Sequence, residues 1–72
     1  MDYCIEISTR QSEVLYLIAN EYTSFEIAER LYLSHDTVKS HRRDLLSKFR
    51  VRNSAGLVRK AFELGILSIP VK

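Results

Sequence analysis

Apolar residues recur along this 72-residue chain at spacings of three and four, not two. Such a period places them on one face of a helix, whereas strands would show strict alternation. The pattern predicts a single all-α domain over residues 1–72, with helices over about residues 9–20, 24–32, 35–50 and 54–64. One domain of this size supports one modest core and no deep pocket.

Helix starts are marked by side chains that can cap free backbone N–H groups. Ser8 precedes Gln11 by three residues, and Thr23 precedes Glu26 by three, which is the capping-box pattern. Ser34 and Asn53 are suitable caps for the last two helices, although Ser54 is an alternative to Asn53. The sequence therefore predicts where each helix begins.

The second and third helices are predicted to form a helix-turn-helix unit. Between Arg30 and Ser34 there is room only for a tight turn, in which Leu33 is expected to point inward. Small Ala28 suits a close crossing of the two helices. The alternative is an ordinary αα-hairpin, which the basic character of the following helix makes less attractive.

Positive charge is concentrated in residues 34–52. This stretch has six basic and two acidic residues, a net charge of +4 in a protein whose total is +2. On a helical wheel Val38, Leu45 and Phe49 share one side, while the opposite side carries Asp36, Lys39, Ser40, Arg43, Ser47 and Arg50. A basic helix of this kind fits the major groove of double-stranded DNA. The alternative is an amphipathic helix whose charges only keep the surface hydrated.

The fourth helix shows three stripes. A core stripe consists of Leu57, Val58, Ala61 and Leu64, and a second stripe is polar. A third stripe contains Ala55, Arg59 and Phe62, which is either extra core beneath the N-terminal arm or a self-association surface. Gly65 suits the position that follows the helix, and the apolar residues after it, as far as Pro70, are expected to fold back on the core.

Several other classes of function find little support. No apolar run is long enough to span a membrane, and no signal sequence is visible. Cys4 is the single cysteine, so it forms no internal disulfide, which fits a reducing cytoplasm. His35 and His41 fall on different helix faces without a partner cysteine, so no metal site, cofactor or enzyme activity is expected.

A longer pattern extends over all four helices. It comprises Ile7-Ser8-x-Arg10, Glu13-Val14-Leu15, Ile18-Ala19, Glu26-Ile27-Ala28, Leu31, Leu33-Ser34, Thr37-Val38-Lys39-x-His41, Leu45, Lys48-Phe49, Val51, Asn53, Val58, Ala61 and Gly65-Ile66-Leu67. In these residues the chain resembles the LuxR-type (GerE-like) helix-turn-helix domain, the DNA-binding output module of many bacterial regulators, including response regulators. The resemblance implies a four-helix fold with a tri-helical core and a C-terminal dimerisation helix.

The resemblance also implies roles for particular residues. Base contacts are expected from Lys39, Ser40 and Arg43. Contacts to the DNA backbone are expected from Thr23, Ser24, Ser34, Thr37 and Arg50, although each hydroxyl also has a simple capping role open to it. A dimer interface is expected at Ala55, Arg59 and Phe62, and RNA polymerase is a further candidate partner.

Three positions depart from the family pattern. Members often have a basic residue where this chain has Phe25, a glycine where it has Tyr22, and an arginine or threonine at Ser54. These differences put one phosphate contact and a tight turn in question, and Phe25 is expected to cover core instead. Asp36 is expected to favour the positive end of the helix dipole.

The sequence thus predicts a cytoplasmic, sequence-specific regulator that binds double-stranded DNA as a dimer. Two alternatives stay open. One is a helical interaction module, such as an anti-activator, that keeps the fold and pairs with a regulator without reading DNA. The other is the promoter-reading domain of a sigma factor, which shares the three-helix core.

Overall fold

The computed structural model describes residues 5–68, which form four α-helices. These are α1 (Thr9–Ala19), α2 (Ser24–Leu31), α3 (His35–Phe49) and α4 (Ser54–Glu63). Residues 5–68 contain no strand, so the all-α fold predicted from the apolar spacing is confirmed. Cys4, and Ile69 and Pro70 of the expected tail, lie outside the described residues.

All four helices begin at a side chain that caps the first turn. Ser8 and Thr23 form complete capping boxes, in which the hydroxyl accepts from the N–H of the third helical residue and that residue's side chain accepts in return. The Ser34 hydroxyl accepts from the Thr37 N–H at 3.1 Å, and the Asn53 side-chain oxygen accepts from the Gly56 N–H at 3.0 Å. The predicted caps are therefore confirmed, and Asn53 rather than Ser54 caps α4.

The core lies around the inner face of α3. Val38, Leu45 and Phe49 are fully buried on this face. The other helices contribute the remaining buried apolar side chains, namely Val14, Leu15, Ile18, Ile27, Ala28, Leu57 and Ala61. Leu33 is half buried against this cluster, as the turn predicts. Burying a Leu or Phe side chain stabilises a fold by roughly 1.5–3 kcal/mol, so this face of α3 anchors the domain.

Each helix ends in the same way. The residue after the last turn has a positive φ, and the N–H that follows it donates to the carbonyl five residues back, which is the Schellman arrangement. The residues with positive φ are Glu21, Tyr32, Arg50 and Gly65, at 69°, 57°, 57° and 77°. The closing bonds run from Tyr22 to Leu17, Leu33 to Ala28, Val51 to Leu46 and Ile66 to Ala61, at 2.9–3.1 Å. Three of these four turns therefore use a residue with a side chain where glycine would fit without steric cost.

The tight turn after α1 differs from the sequence expectation. Glu21, not Tyr22, occupies its left-handed position. Tyr22 is half buried against the core, and its hydroxyl accepts a hydrogen bond from Arg30 at 2.8 Å. The Arg30 guanidinium also stands 4.5 Å above the Tyr22 ring centre, a cation–π contact. Tyr22 thus packs against the core, and Glu21 is the residue that adopts the unfavourable left-handed conformation.

Leu64 was expected in the core stripe of α4, and this expectation is wrong. Leu64 is 47% exposed, because α4 ends at Glu63 and Gly65 then reverses the chain direction. Leu67 packs against the core instead, with its N–H donating to the Ala61 carbonyl at 3.1 Å. The expected folding back of the apolar tail is therefore confirmed as far as Leu67.

Replacing Glu21 with glycine is expected to stabilise the protein. A left-handed conformation costs a residue with a Cβ atom roughly 1–2 kcal/mol, and part of this cost is returned as the greater backbone entropy of glycine when unfolded. A net gain of about 1 kcal/mol would raise the melting temperature by about 4–8 °C in a domain of this size. Thermal unfolding followed by circular dichroism measures the change. Glu21→Ala is the matched control, because it removes the carboxylate and keeps the Cβ, and a rise equal to that of Glu21→Gly would contradict the backbone explanation.

Candidate nucleic-acid interface

The outer side of α3 carries three polar residues that we call the reading face: Lys39, Ser40 and Arg43. All three are exposed, on the side of α3 opposite Val38, Leu45 and Phe49. The Lys39 and Arg43 side chains make no hydrogen bond or ion pair with any of residues 5–68. Four residues separate them along the helix, so the two cationic groups project from the same side one turn apart. Two cations without a protein partner are thus directed to solvent.

The Lys48 ammonium is used within the protein. It donates to the Glu6 carbonyl and to the Gln11 Oε1, both at 3.0 Å. Gln11 is the one polar residue buried within the described chain, and the same Oε1 also accepts from the Ser8 N–H at 3.2 Å. Lys48 therefore fastens the segment before α1 to the last turn of α3. The capping-box Gln11 was visible in the sequence, but its link to a residue 37 positions away was not.

A second basic residue of α3 has a similar internal role. Arg42 is half buried, and its Nη2 donates to the Ser54 hydroxyl at 2.6 Å. Ser54 is the first residue of α4. This bond connects the middle of the reading helix to the start of the last helix. Sequence analysis counted Arg42 with the basic segment, whereas the structure assigns it to the junction between two helices.

Hydroxyl groups gather at the starts of α2 and α3. Thr23 and Ser34 cap these helices, and the Ser34 and Thr37 hydroxyl oxygens lie 2.8 Å apart. Ser24 is half buried, while Thr23, Ser34 and Thr37 are exposed. A hydroxyl that accepts from a backbone N–H still carries its own hydrogen, which it can donate elsewhere. The Ser34–Thr37 contact uses one of the two hydroxyl hydrogens of that pair, so the Thr23 hydroxyl and one hydroxyl of the pair can still donate to an anion.

The starts of α2 and α3 meet through two aromatic rings. The Phe25 ring and the His35 imidazole are stacked, with 3.9 Å between centroids and 2° between planes. Phe25 was expected to cover core, and this is wrong, since it is 67% exposed and outside the core cluster. The physical reason is its place one residue after the start of α2, where the side chain reaches the first residue of α3. The stack thus brings the first turn of α2 into contact with the first residue of α3.

Arg50 lies at the opposite end of α3. It is exposed and occupies the left-handed position after the helix, with its N–H bonded to the Ser47 carbonyl at 3.2 Å. Eleven residues separate it from Lys39, which corresponds to about 16 Å along a helix. The charged surface of α3 thus extends well beyond the reading face.

The outer side of α4 is a separate surface. Ala55, Arg59 and Phe62 are all exposed, and Phe62 lies outside the core cluster although it is only 36% exposed. Arg59 pairs with Glu63 at 3.1 Å along this side. Leu64 and Ile66 are also exposed, at 47% and 37%, and together with Phe62 they form what we call the apolar end of α4. Phe62 is therefore not part of the core cluster of residues 5–68, and its role in self-association stays a prediction.

Sites of other kinds are not seen in the described chain. Residues 5–68 contain no cluster of His, Cys, Asp and Glu side chains arranged to hold a metal ion. None of the helices within these residues has the length and apolar character needed to cross a membrane.

Two known regulatory proteins are similar in sequence to most of this chain. The chain is 38% identical over 64 residues to the uncharacterized response regulatory protein YgeK of Escherichia coli, covering 89% of the chain and 44% of that protein. It is 36% identical over 61 residues to the oxygen regulatory protein NreC of Staphylococcus carnosus, covering 85% of the chain and 28% of that protein. The chain thus spans less than half the length of these relatives.

Two solved structures share the fold. The transcription factor GerE matches with a TM-score of 0.81 and 26% identity, over 86% of this chain and 92% of that one. The Vibrio cholerae VqmA–ligand–DNA complex matches with a TM-score of 0.83 and 27% identity, over 97% of this chain and 31% of that one. The family model GerE, described as bacterial regulatory proteins of the luxR family, matches residues 6–61. The chain therefore belongs to the luxR family of bacterial regulatory proteins.

Proposed function

We propose that this protein is a sequence-specific DNA-binding transcriptional regulator that inserts α3 into the major groove. The observation that carries the proposal is the reading face, where Lys39 and Arg43 have no hydrogen bond or ion pair among residues 5–68, while Lys48 and Arg42 of the same helix are bonded internally. If charge served only to hydrate the helix, this division of roles would have no purpose. The proposal describes a binding module and not an enzyme.

Base recognition is assigned to the reading face. Lys39 and Arg43 can donate to the O6 and N7 atoms of guanine, and Ser40 can contact either a donor or an acceptor. A good bidentate contact discriminates against the wrong base by roughly 1–3 kcal/mol. Because the inner face of α3 is fully buried, these side chains are presented from a rigid helix, which favours specific over adaptable contacts.

Backbone contacts are assigned to the hydroxyls at the starts of α2 and α3 and to Arg50. Thr23, Ser24, Ser34 and Thr37 lie at helix N-termini, where the dipole favours an anion. Arg50 lies about 16 Å further along α3 and suits a second phosphate. Contacts at both ends of the reading face would fix the position of α3 in the groove.

Dimerisation is assigned to the outer side of α4, through Ala55, Arg59 and Phe62. The exposed apolar end of α4 supports this assignment, because large apolar side chains grouped at a surface favour burial by a partner. A dimer with two-fold symmetry would present two copies of α3 to an inverted repeat. We also propose a cytoplasmic location, where bacterial DNA and RNA polymerase, a further candidate partner, are found.

The relatives support this proposal by their descriptions. One solved neighbour is a transcription factor and another is a complex that contains DNA. Two sequence relatives are described as regulatory proteins. A second candidate function is a helical interaction module that pairs with a regulator without reading DNA. The apolar end of α4 would serve such a module equally well, whereas the free cations of the reading face would have no role in it.

The deciding experiment is a selection from a random duplex library with the purified chain at moderate salt. An enriched motif of two inverted half-sites, about one helical turn apart, would establish a sequence-reading dimer. A single enriched half-site would retain DNA reading and remove the dimer. If a folded sample enriched no motif, the interaction module would replace the proposed function.

Lys39→Ala and Arg43→Ala are expected to lower affinity for the selected site by about tenfold or more, since each removes a contact of roughly 1–3 kcal/mol. The melting temperature should change little, because both side chains face away from the core. Fluorescence anisotropy with target and scrambled duplexes measures the specificity ratio. Arg10→Ala is the matched control, as Arg10 is an exposed arginine on α1 that pairs with Glu13. Equal losses in the control and the α3 variants would contradict base reading.

Phe62→Asp is expected to abolish cooperative binding to paired half-sites, because a carboxylate would be buried at the dimer surface without a partner. Binding to a single half-site and the melting temperature should remain near the wild-type values. Sedimentation analysis of the complex with each duplex gives the stoichiometry. Tyr16→Asp provides the control, since Tyr16 is 58% exposed on α1. If Phe62→Asp unfolds the protein while Tyr16→Asp does not, Phe62 stabilises the fold and not a dimer.

A further inference from the structure

Core packing does not account for the stacked rings of Phe25 and His35. Phe25 is 67% exposed and lies outside the core cluster, so its ring contributes little to core burial. His35 is half buried, and its imidazole makes no hydrogen bond with any of residues 5–68. Burying one face of each ring against the other still orders both side chains, which costs conformational entropy. An imidazole that is ordered by stacking but has no hydrogen-bond partner among residues 5–68 calls for an explanation.

His35 continues the line of the reading face. It is the first residue of α3, and Lys39 and Arg43 follow at intervals of four residues. Residues at this spacing lie above one another on one side of a helix. His35 therefore extends the surface of Lys39 and Arg43 by one turn toward the N-terminus of α3.

The geometry of the stack leaves the imidazole nitrogens available. Stacking covers the face of the ring, whereas both nitrogens lie on its edge. A neutral imidazole has one N–H donor in either tautomer, and a protonated one has two. Rotation of the His35 side chain is restricted by the Phe25 ring at 3.9 Å. The donor is thus held by the stack at the N-terminus of α3, where the helix dipole favours an anion.

We propose that His35 donates a hydrogen bond to a backbone phosphate of the bound duplex and that Phe25 is the positioning residue that holds its ring for this contact. This inference rests on the proposed entry of α3 into the major groove. A phosphate contact carries no base information, so His35 strengthens binding to every duplex and leaves discrimination to Lys39 and Arg43. Phe25 acts through His35 and has no DNA contact of its own.

The test uses His35→Phe, which keeps an aromatic ring for stacking and removes both nitrogens. Affinity is expected to fall about tenfold to a hundredfold for the target and for a scrambled duplex alike, the size of one hydrogen bond to a charged group. The melting temperature should stay near wild type. Lys39→Ala, measured beside it, should instead lower the ratio between target and scrambled affinities.

The positioning role of Phe25 is tested by a double-mutant cycle. Phe25→Ala should weaken both duplexes by a similar factor in the wild-type background and have no further effect in the His35→Phe background. Phe25→Tyr, which keeps the stack, should restore affinity. Tyr32→Ala is the matched control, because Tyr32 is a 95% exposed aromatic residue at the other end of α2.

Each failure has a distinct meaning. Unchanged affinity in His35→Phe and Phe25→Ala, with Lys39→Ala losing specificity, would overturn this inference and leave the proposed function intact. An additive loss in the double mutant would show that Phe25 contacts DNA itself and would overturn its positioning role. A fall in melting temperature without a fall in affinity would make the stack a clamp between two helices only. Retained specificity in Lys39→Ala would instead remove Lys39 from base reading, and failure of the duplex selection to enrich any motif would reject the proposed function.

Discussion

The burial of one side of α3 is the constraint on which the rest of the structure depends. Val38, Leu45 and Phe49 are fully inaccessible to solvent, and the other three helices supply the apolar side chains around them. In 72 residues one helix therefore has to be both the centre of the core and the carrier of the charged surface. Its amphipathic pattern resolves this conflict, because the more completely one side is packed, the more rigidly the other is presented.

Polar bonds refine this arrangement where the core does not reach. The Gln11 side chain accepts from Lys48, and Arg42 donates to Ser54, so the last turn and the middle of α3 are each connected to a neighbouring segment. A buried glutamine oxygen with two donors meets the requirement that buried polar groups be paired. These two bonds engage two basic residues of α3 within the protein, whereas Lys39 and Arg43 have no hydrogen bond or ion pair among residues 5–68.

Much of the fold could be predicted from local sequence, because helix starts and apolar stripes are local signals. The caps at Ser8, Thr23 and Ser34 and the exposure of the reading face follow directly from spacing. The helix ends were harder, since Glu21 adopts a left-handed conformation that its side chain does not favour. The following Tyr22 packs against the core, and such packing between distant residues is not a local property of the sequence.

The polar contacts of the candidate site were hidden for a related reason. The hydrogen bonds of Lys48 and Arg42 join residues 37 and 12 positions apart. The net charge of residues 34–52 therefore cannot reveal which basic side chains are hydrogen-bonded within the protein. The Phe25–His35 stack also depends on the tightness of the turn between α2 and α3. The contacts that Lys39, Ser40 and Arg43 make with bases remain predictions, since their exposure shows availability and not recognition.

The bond from Arg42 to Ser54 has a consequence at the scale of the DNA. It connects α3 to the first residue of α4. If two molecules paired through α4, this connection would help to keep their two α3 helices at one fixed separation. Adding one base pair between two half-sites moves the second groove by 3.4 Å and rotates it by roughly 34°, given about 10.5 base pairs per turn. A rigid pair of α3 helices could not follow that rotation without losing the DNA contacts of one helix. The affinity of such a pair for DNA would then depend on the spacing of the two half-sites as strongly as on their sequences.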